Sequence, residues 1–279
     1  MTLNPFKAVY SWLIRLLMKS GPSVKTVKLT DFKRLSYEIR PGDVILIAGR
    51  SRVSEVIKII TQSHWSHAAL YIGRLHDIES LAHRKVIESR FPCDPNDQLI
   101  IESEIGKGTV VSPLSNYRHD HLRICRPRGL RQDDANKIIN YCIENLGREY
   151  NVRQIFDLAR FLFPWHWLPR RWRSSLFEHN AGEVTKEVCS TLIARAFTSV
   201  DFPILPHINT QSQGRKFEML HRNPRLYTPS DFDFSPYFDI IKYPLFVLDD
   251  GGQYHHLPWN RDKVYHDNPE EKSSVEKKS

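Results

Sequence analysis

The spacing of apolar and polar residues changes along the chain, and each change marks an element. Arg40-Pro41-Gly42-Asp43 is a turn signal, and the unbroken apolar run Val44 to Ala48 behind it predicts a buried strand. Val53, Val56, Ile57 and Ile60 recur at helical spacing, so Ser51 to Thr61 predicts a helix. Ser66 to Ile72 alternates as a strand does, with His67, Ala69 and Tyr71 on one face. Gln98 to Glu104, Lys107 to Ser112 and His121 to Arg126 predict three more strands, the second bent around Gly106 and Gly108. Ala135, Ile138, Ile139, Cys142, Ile143 and Leu146 then form one helical stripe that stops at Gly147. A second helix is expected over Val152 to Phe163, and a third over Thr185 to Val200 with Cys189 near its start. Strands early and helices late point to an α+β fold, with helices packed on a mostly antiparallel sheet.

The two ends depart from this pattern. Residues 5–19 place Lys7, Ser11, Arg15 and Lys19 on one side of a helix, and Phe6, Val9, Trp12, Leu13, Leu16 and Leu17 around the rest. The stretch is too short and too charged to span a bilayer, and no small-residue cleavage site follows it, so no secretion signal is expected. Two readings stay open: a helix lying in a membrane interface, or one docked on the protein's own core. From Asp250 no apolar periodicity remains, and the charged end Ser-Ser-Val-Glu-Lys-Lys-Ser reads as a frayed tail. The expected partition is 1–35 for the N-terminal helix and linker, 36–249 for a catalytic domain and 250–279 for the tail.

Composition narrows the class. A chain of 279 residues with 41% hydrophobic and 26% charged residues is a globular protein, which excludes a disordered, collagen-like or polytopic membrane chain. Lys and Arg outnumber Asp and Glu by 40 to 32, and the net charge of +8 favours an anionic partner. Four separated cysteines make no disulfide scaffold and suit a reducing compartment, so a cytoplasmic location is expected.

Cys189 is the candidate nucleophile. Near a helix start, unpaired amides and the helix dipole favour a thiolate, and a backbone N–H at Val188 or Cys189 is placed to meet an oxyanion. Packing in the core is the competing reading for a cysteine without context. A thiolate needs a base, and the base needs an orienter. His67 has small neighbours on its strand, and Glu102 on a nearby strand is suited to fix the imidazole tautomer, with Glu104 in reserve. Core packing for His67 and a solvated strand carboxylate for Glu102 are the plainer alternatives. His64 and His67 face opposite sides of an extended chain, and no H-E-x-x-H, cysteine pair or phosphate loop is present. No metal and no cofactor are therefore expected.

The order of these pieces carries a resemblance. R-P-G-D-V-I-L-I-A-G (40–49), S-H-W-S-H-A-A-L-Y-I-G (63–73), the I-E-S-E strand, R-I-C-R-P (123–127), G-R-E-Y-N (147–151), E-V-C-S-T-L-I-A-R-A-F (187–197) and Y-T-P-S-D-F-D-F-S-P-Y-F (227–238) follow one another. This set resembles the YiiX/YebB-like, or "lipo-like", branch of the NlpC/P60 superfamily, the circularly permuted papain-like cysteine hydrolases. The resemblance spans about Arg40 to Pro244 and implies a permuted papain-like fold. It also implies a Cys189–His67–Glu102 triad, in the permuted order of histidine, polar residue and cysteine, that cleaves or transfers an acyl group. Tyr150 falls where the superfamily often carries a tyrosine, which implies an oxyanion or substrate role for it.

The expected substrate is an acyl compound, a peptide amide or a lipid. The run Phe161 to Arg173 clusters three Trp with Arg and Pro before the cysteine. It suits a membrane interface or, less well, single-stranded nucleic acid, and a loop folded over the core is the third reading. An anionic membrane surface on the inner face of the cytoplasmic membrane is thus the expected macromolecular partner, through residues 5–19 and 161–173, and nucleic acid is not. A catalytically silent membrane-binding module, and a lipid acyltransferase or phospholipase related to lecithin–retinol acyltransferase-like proteins, are the alternative functions.

Overall fold

The structure, a computed structural model, describes residues 29–104, 107–148, 189–210 and 217–246 and positions 255, 257 and 259. The chain divides into two compact units, Met1–Leu245 and Phe246–Ser279, and the fold below is that of the first. The N-terminal amphipathic stretch, the Trp- and Arg-rich segment and the helix expected over 152–163 lie outside the described residues.

In chain order the elements are α1 (Phe32–Glu38), β1 (Val44–Ala48), α2 (Arg52–Thr61), β2 (His67–Gly73), α3 (Leu81–Arg90), β3 (Leu99–Glu104), β4 (Gly108–Pro113), β5 (His121–Pro127) and α4 (Gln132–Glu144). There follow α5 (Ser190–Thr198), β6 (His207–Thr210), β7 (Phe217–Leu220), α6 (Pro229–Phe234) and β8 (Phe238–Ile241). Six strands form one sheet in the order β4-β3-β2-β1-β5-β8, and β6 and β7 form a separate hairpin. Every pairing in the six-stranded sheet is antiparallel.

The apolar run of β1 has no alternation because both faces of this central strand are covered. Val44 and Leu46 join Ala68, Leu70, Ile101 and Cys125 on one face, in a core that takes Ile138 and Cys142 from α4 and Ile193 and Phe197 from α5. Ile45 and Ile47 join Ala69, Tyr71, Ile100 and Ile124 on the other face, under Leu35 of α1. Ser51 caps α2 by accepting from the Ser54 amide, and the Asp31 carboxylate caps α1 in the same way.

The expected strands and the helical stripe are present with ends shifted by a few residues. Helix α1, the β6–β7 hairpin, β8, α3 and α6 fall outside the expected pattern. Helix α3 has Ile87 as its buried residue and Leu81 exposed, so no apolar stripe announces it. Helix α6 is six residues long and is held by a capping box between Thr228 and Asp231.

The turn before β1 is tied to β5 by a buried ion pair. Arg126 Nη2 stands 2.8 Å from Asp43 Oδ2 and also donates to the Glu38 carbonyl, while the Arg40 amide donates to the same carboxylate oxygen. Burial pushes the Asp43 carboxyl up, against the pull of Arg126. A pair of this kind adds little net stability, but removing one partner strands the other charge. Arg126→Met is therefore expected to cost roughly 3 to 5 kcal/mol, read as a lowered urea midpoint at neutral pH.

Candidate active site

Strand β2 opens with His67, and Ser63, Trp65 and Ser66 before it are held from several sides. Ser66 Oγ accepts from the Gly49 amide at 2.9 Å and donates to the Ile47 carbonyl at 3.2 Å, which ties the strand start to the end of β1. The Trp65 indole donates to Asp233 Oδ2 at 3.1 Å, lies under the Arg123 guanidinium at 4.7 Å and stacks on His121 at 5.5 Å. Arg123 Nη1 in turn reaches both oxygens of Asp233, at 2.6 and 2.7 Å. Ser230 donates to Ser63. The 227–238 run thus braces the segment that carries His67, through Ser230 and Asp233 on α6.

His67 Nε2 meets Glu102 Oε2 at 2.6 Å, with the histidine side chain 18% exposed and the glutamate 1%. The two residues stand on neighbouring antiparallel strands, β2 and β3. Glu104 pairs with Lys107 at 2.6 Å instead, so the reserve carboxylate is engaged elsewhere. Glu102 also accepts from the Tyr117 hydroxyl and from the Ser112 side chain. Neither Tyr117 nor Ser112 was marked by any motif. Tyr117 ends a short 3-10 turn, Leu114–Tyr117, beyond β4, and only the sheet order brings it back to β3.

Cys189 takes the N-cap position of α5 instead of a place inside the helix. It is buried, and its thiol hydrogen-bonds the His67 ring. With Nε2 committed to Glu102, Nδ1 is the ring nitrogen left for sulfur. The sulfur also receives the backbone N–H groups of Ala68 and Ser190. Ser190 is buried behind it, its hydroxyl donating to the Tyr227 carbonyl. Tyr150 and Val188 lie outside the described residues.

The electrostatics follow from these contacts. Burial alone drives a thiol up, as it does for Cys125 and Cys142, both pushed well above the ordinary thiol value. At Cys189 burial acts the same way, but the charge of His67, its hydrogen bond and the two amides outweigh it and hold the thiol below its ordinary value. Burial likewise opposes a charged imidazole, yet the Cys189 thiolate and the Glu102 carboxylate raise His67 to about 10. Burial works against the Glu102 carboxylate too, and its bonds to His67, Tyr117 and Ser112 hold it below the usual glutamate range. The arrangement therefore supports a thiolate–imidazolium pair near neutral pH. Among the described residues no group of three or more His, Cys, Asp or Glu is placed to hold a metal ion.

Residues 38–159 match the family described as a permuted papain-like amidase enzyme, YaeF/YiiX, C92 family. The matched residues include His67, Glu102 and Tyr117 and end before Cys189. A crystal structure described as metalloprotein yiiX from Escherichia coli O157:H7 aligns over 73% of this chain and 97% of its own, at 14% identity and a TM-score of 0.42. No curated protein matches the chain. Over residues 38–159 the chain is thus similar to the YiiX-like permuted papain-like family. The match agrees with the mixed α+β architecture described above and supports a function of the cysteine-hydrolase, amidase type.

The pKa directions set a pH signature. Ionisation of Cys189 is complete above its lowered value and is lost as pH falls through it. The iodoacetamide alkylation rate of Cys189 is expected to reach half its plateau below the ordinary thiol range, and His67→Ala to move that midpoint up by more than about one unit. Cys142→Ala is expected to leave the profile unchanged; a wild-type midpoint at the ordinary thiol value would sink the ion pair.

Proposed function

We propose that the protein cleaves an acyl compound, an amide or an ester, through a thioester on Cys189, with His67 as acid and base and Glu102 as its orienter. The observation that carries this reading is the row of sulfur, imidazole and carboxylate, in which one of three described buried thiols is lowered and two are raised.

The chemistry balances without an added co-reactant beyond water. The Cys189 thiolate attacks the carbonyl carbon and forms a C–S bond, while the carbonyl oxygen takes up the negative charge. The N-terminal end of α5, where Cys189 sits at the N-cap, is suited to face that oxyanion through the positive end of the helix dipole. Collapse breaks the C–N or C–O bond, and His67 gives its Nδ1 proton to the departing amine or alkoxide. Water then attacks the thioester, His67 takes its proton, and release of the carboxylic acid returns the thiolate and imidazolium. A second nucleophile in place of water would turn hydrolysis into acyl transfer by the same steps.

The setting of this reaction is the finer part of the proposal. A cytoplasmic-face enzyme that meets anionic lipid is supported by the amphipathic spacing in 5–19, the Trp and Arg of 161–173 and the charge of +8. Among the described residues no helix is long and apolar enough to cross a membrane.

A panel of amide, ester and thioester acyl donors tests the reaction. With an active donor, the intact protein is expected to gain the acyl mass on Cys189 at short times. Cys189→Ala is expected to lose both the adduct and turnover, by at least about a thousandfold. Turnover that survives Cys189→Ala would remove the nucleophile. Sedimentation with anionic vesicles, with and without residues 1–19, tests the setting, and equal sedimentation of the two would remove the N-terminal anchor.

A further inference from the structure

Glu102 is a charge taken almost wholly out of water, and it has to be satisfied by donors from the protein. Three reach it from two sides: His67 from β2, Ser112 from β4, and Tyr117 from the turn after β4. His67 and Tyr117 share one oxygen, Oε2, and their rings stand 6.2 Å apart. Resting on the catalytic reading above, we infer that Tyr117 is a positioning residue whose hydroxyl keeps Glu102 ionised and aimed at His67 Nε2, and thereby keeps the Cys189 thiolate charged at neutral pH.

A carboxylate and an imidazole that share a proton in a buried site divide it according to how well each charge is solvated. A second donor on Oε2 lowers the proton affinity of Glu102, so the shared proton stays on Nε2 and the ring keeps its positive charge. That charge is what lowers Cys189. Tyr117 is itself fit to donate and not to ionise. Burial raises its phenol first, and the Glu102, Glu104 and Asp120 carboxylates that face it raise it further. The hydroxyl also closes the row, meeting Glu102 on the same oxygen that His67 uses.

The test compares alkylation of Cys189 by iodoacetamide in the full chain at two pH values. Tyr117→Phe keeps the ring and removes the donor. It is expected to slow alkylation by about three- to tenfold near pH 6.5, a midpoint shift of half to one unit. Near pH 9.5, above the midpoint of either protein, His67 and the two amides suffice to keep the thiol ionised, and the rate is expected to change less than about twofold. In a Glu102→Gln background the same substitution should have no further effect, because the group it acts through is gone. Replacing Tyr117 by 3,5-difluorotyrosine, which keeps the fold and strengthens the donor, is expected to move the midpoint the other way. Equal rates for Tyr117→Phe and wild type at both pH values, equal slowing at both, or full additivity with Glu102→Gln would each overturn the inference while leaving the catalytic reading intact. A wild-type midpoint in the ordinary thiol range would overturn both.

Discussion

A carboxylate removed from water needs donors, and the donors chosen for Glu102 organise the site around it. Left alone in the sheet, this side chain would take up a proton and fall silent. Surrounded by an imidazole, a phenol and a serine hydroxyl it stays charged. The charge then passes outward by stages: it makes the ring basic, and the basic ring makes the sulfur acidic. Each group in the row is held in its charged form by the next, so none of them explains its own behaviour in isolation.

The scaffold meets this demand with short-range geometry. Strands β2 and β3 are adjacent, so the His67 side chain reaches Glu102 on the neighbouring strand, and β4 adds Ser112 and the turn with Tyr117 on the far side. Sulfur arrives separately, at the head of a helix packed on the opposite core. The segment before His67 is braced by a different part of the chain, where Asp233 holds Trp65 and Arg123 together. The imidazole is thus anchored from ahead by a carboxylate and from behind by an aromatic stack.

Much of the frame could be read from residue order because it depends on local periodicity. Val44 to Ala48 is apolar throughout because both faces are covered, and the stripe from Ala135 to Leu146 sits on one side of a helix. His67, Glu102 and Cys189 stood out by residue type and by the order of their motifs. The choice between Glu102 and Glu104 did not, since both share a strand face and only Lys107 separates their fates. Helix α3 lacked a stripe to announce it. Tyr117 and Asp233 were illegible for a deeper reason: each acts on a residue far away in sequence, and a polar side chain in a turn or a six-residue helix carries no mark of a distant partner.

Chain order gives the row a temporal side. The strands that supply imidazole, carboxylate and phenol are joined by nearby connections and precede the sulfur-bearing helix by a long stretch of sequence. As a growing polypeptide leaves the ribosome from its amino end, the machinery that sharpens the thiol emerges before the thiol does. A reactive sulfur exposed on an unfinished chain would be open to oxidation and to wayward acylation. Here the sulfur meets its imidazole only when α5 docks on the sheet, and the brace behind the imidazole, Ser230 and Asp233 on α6, emerges later still.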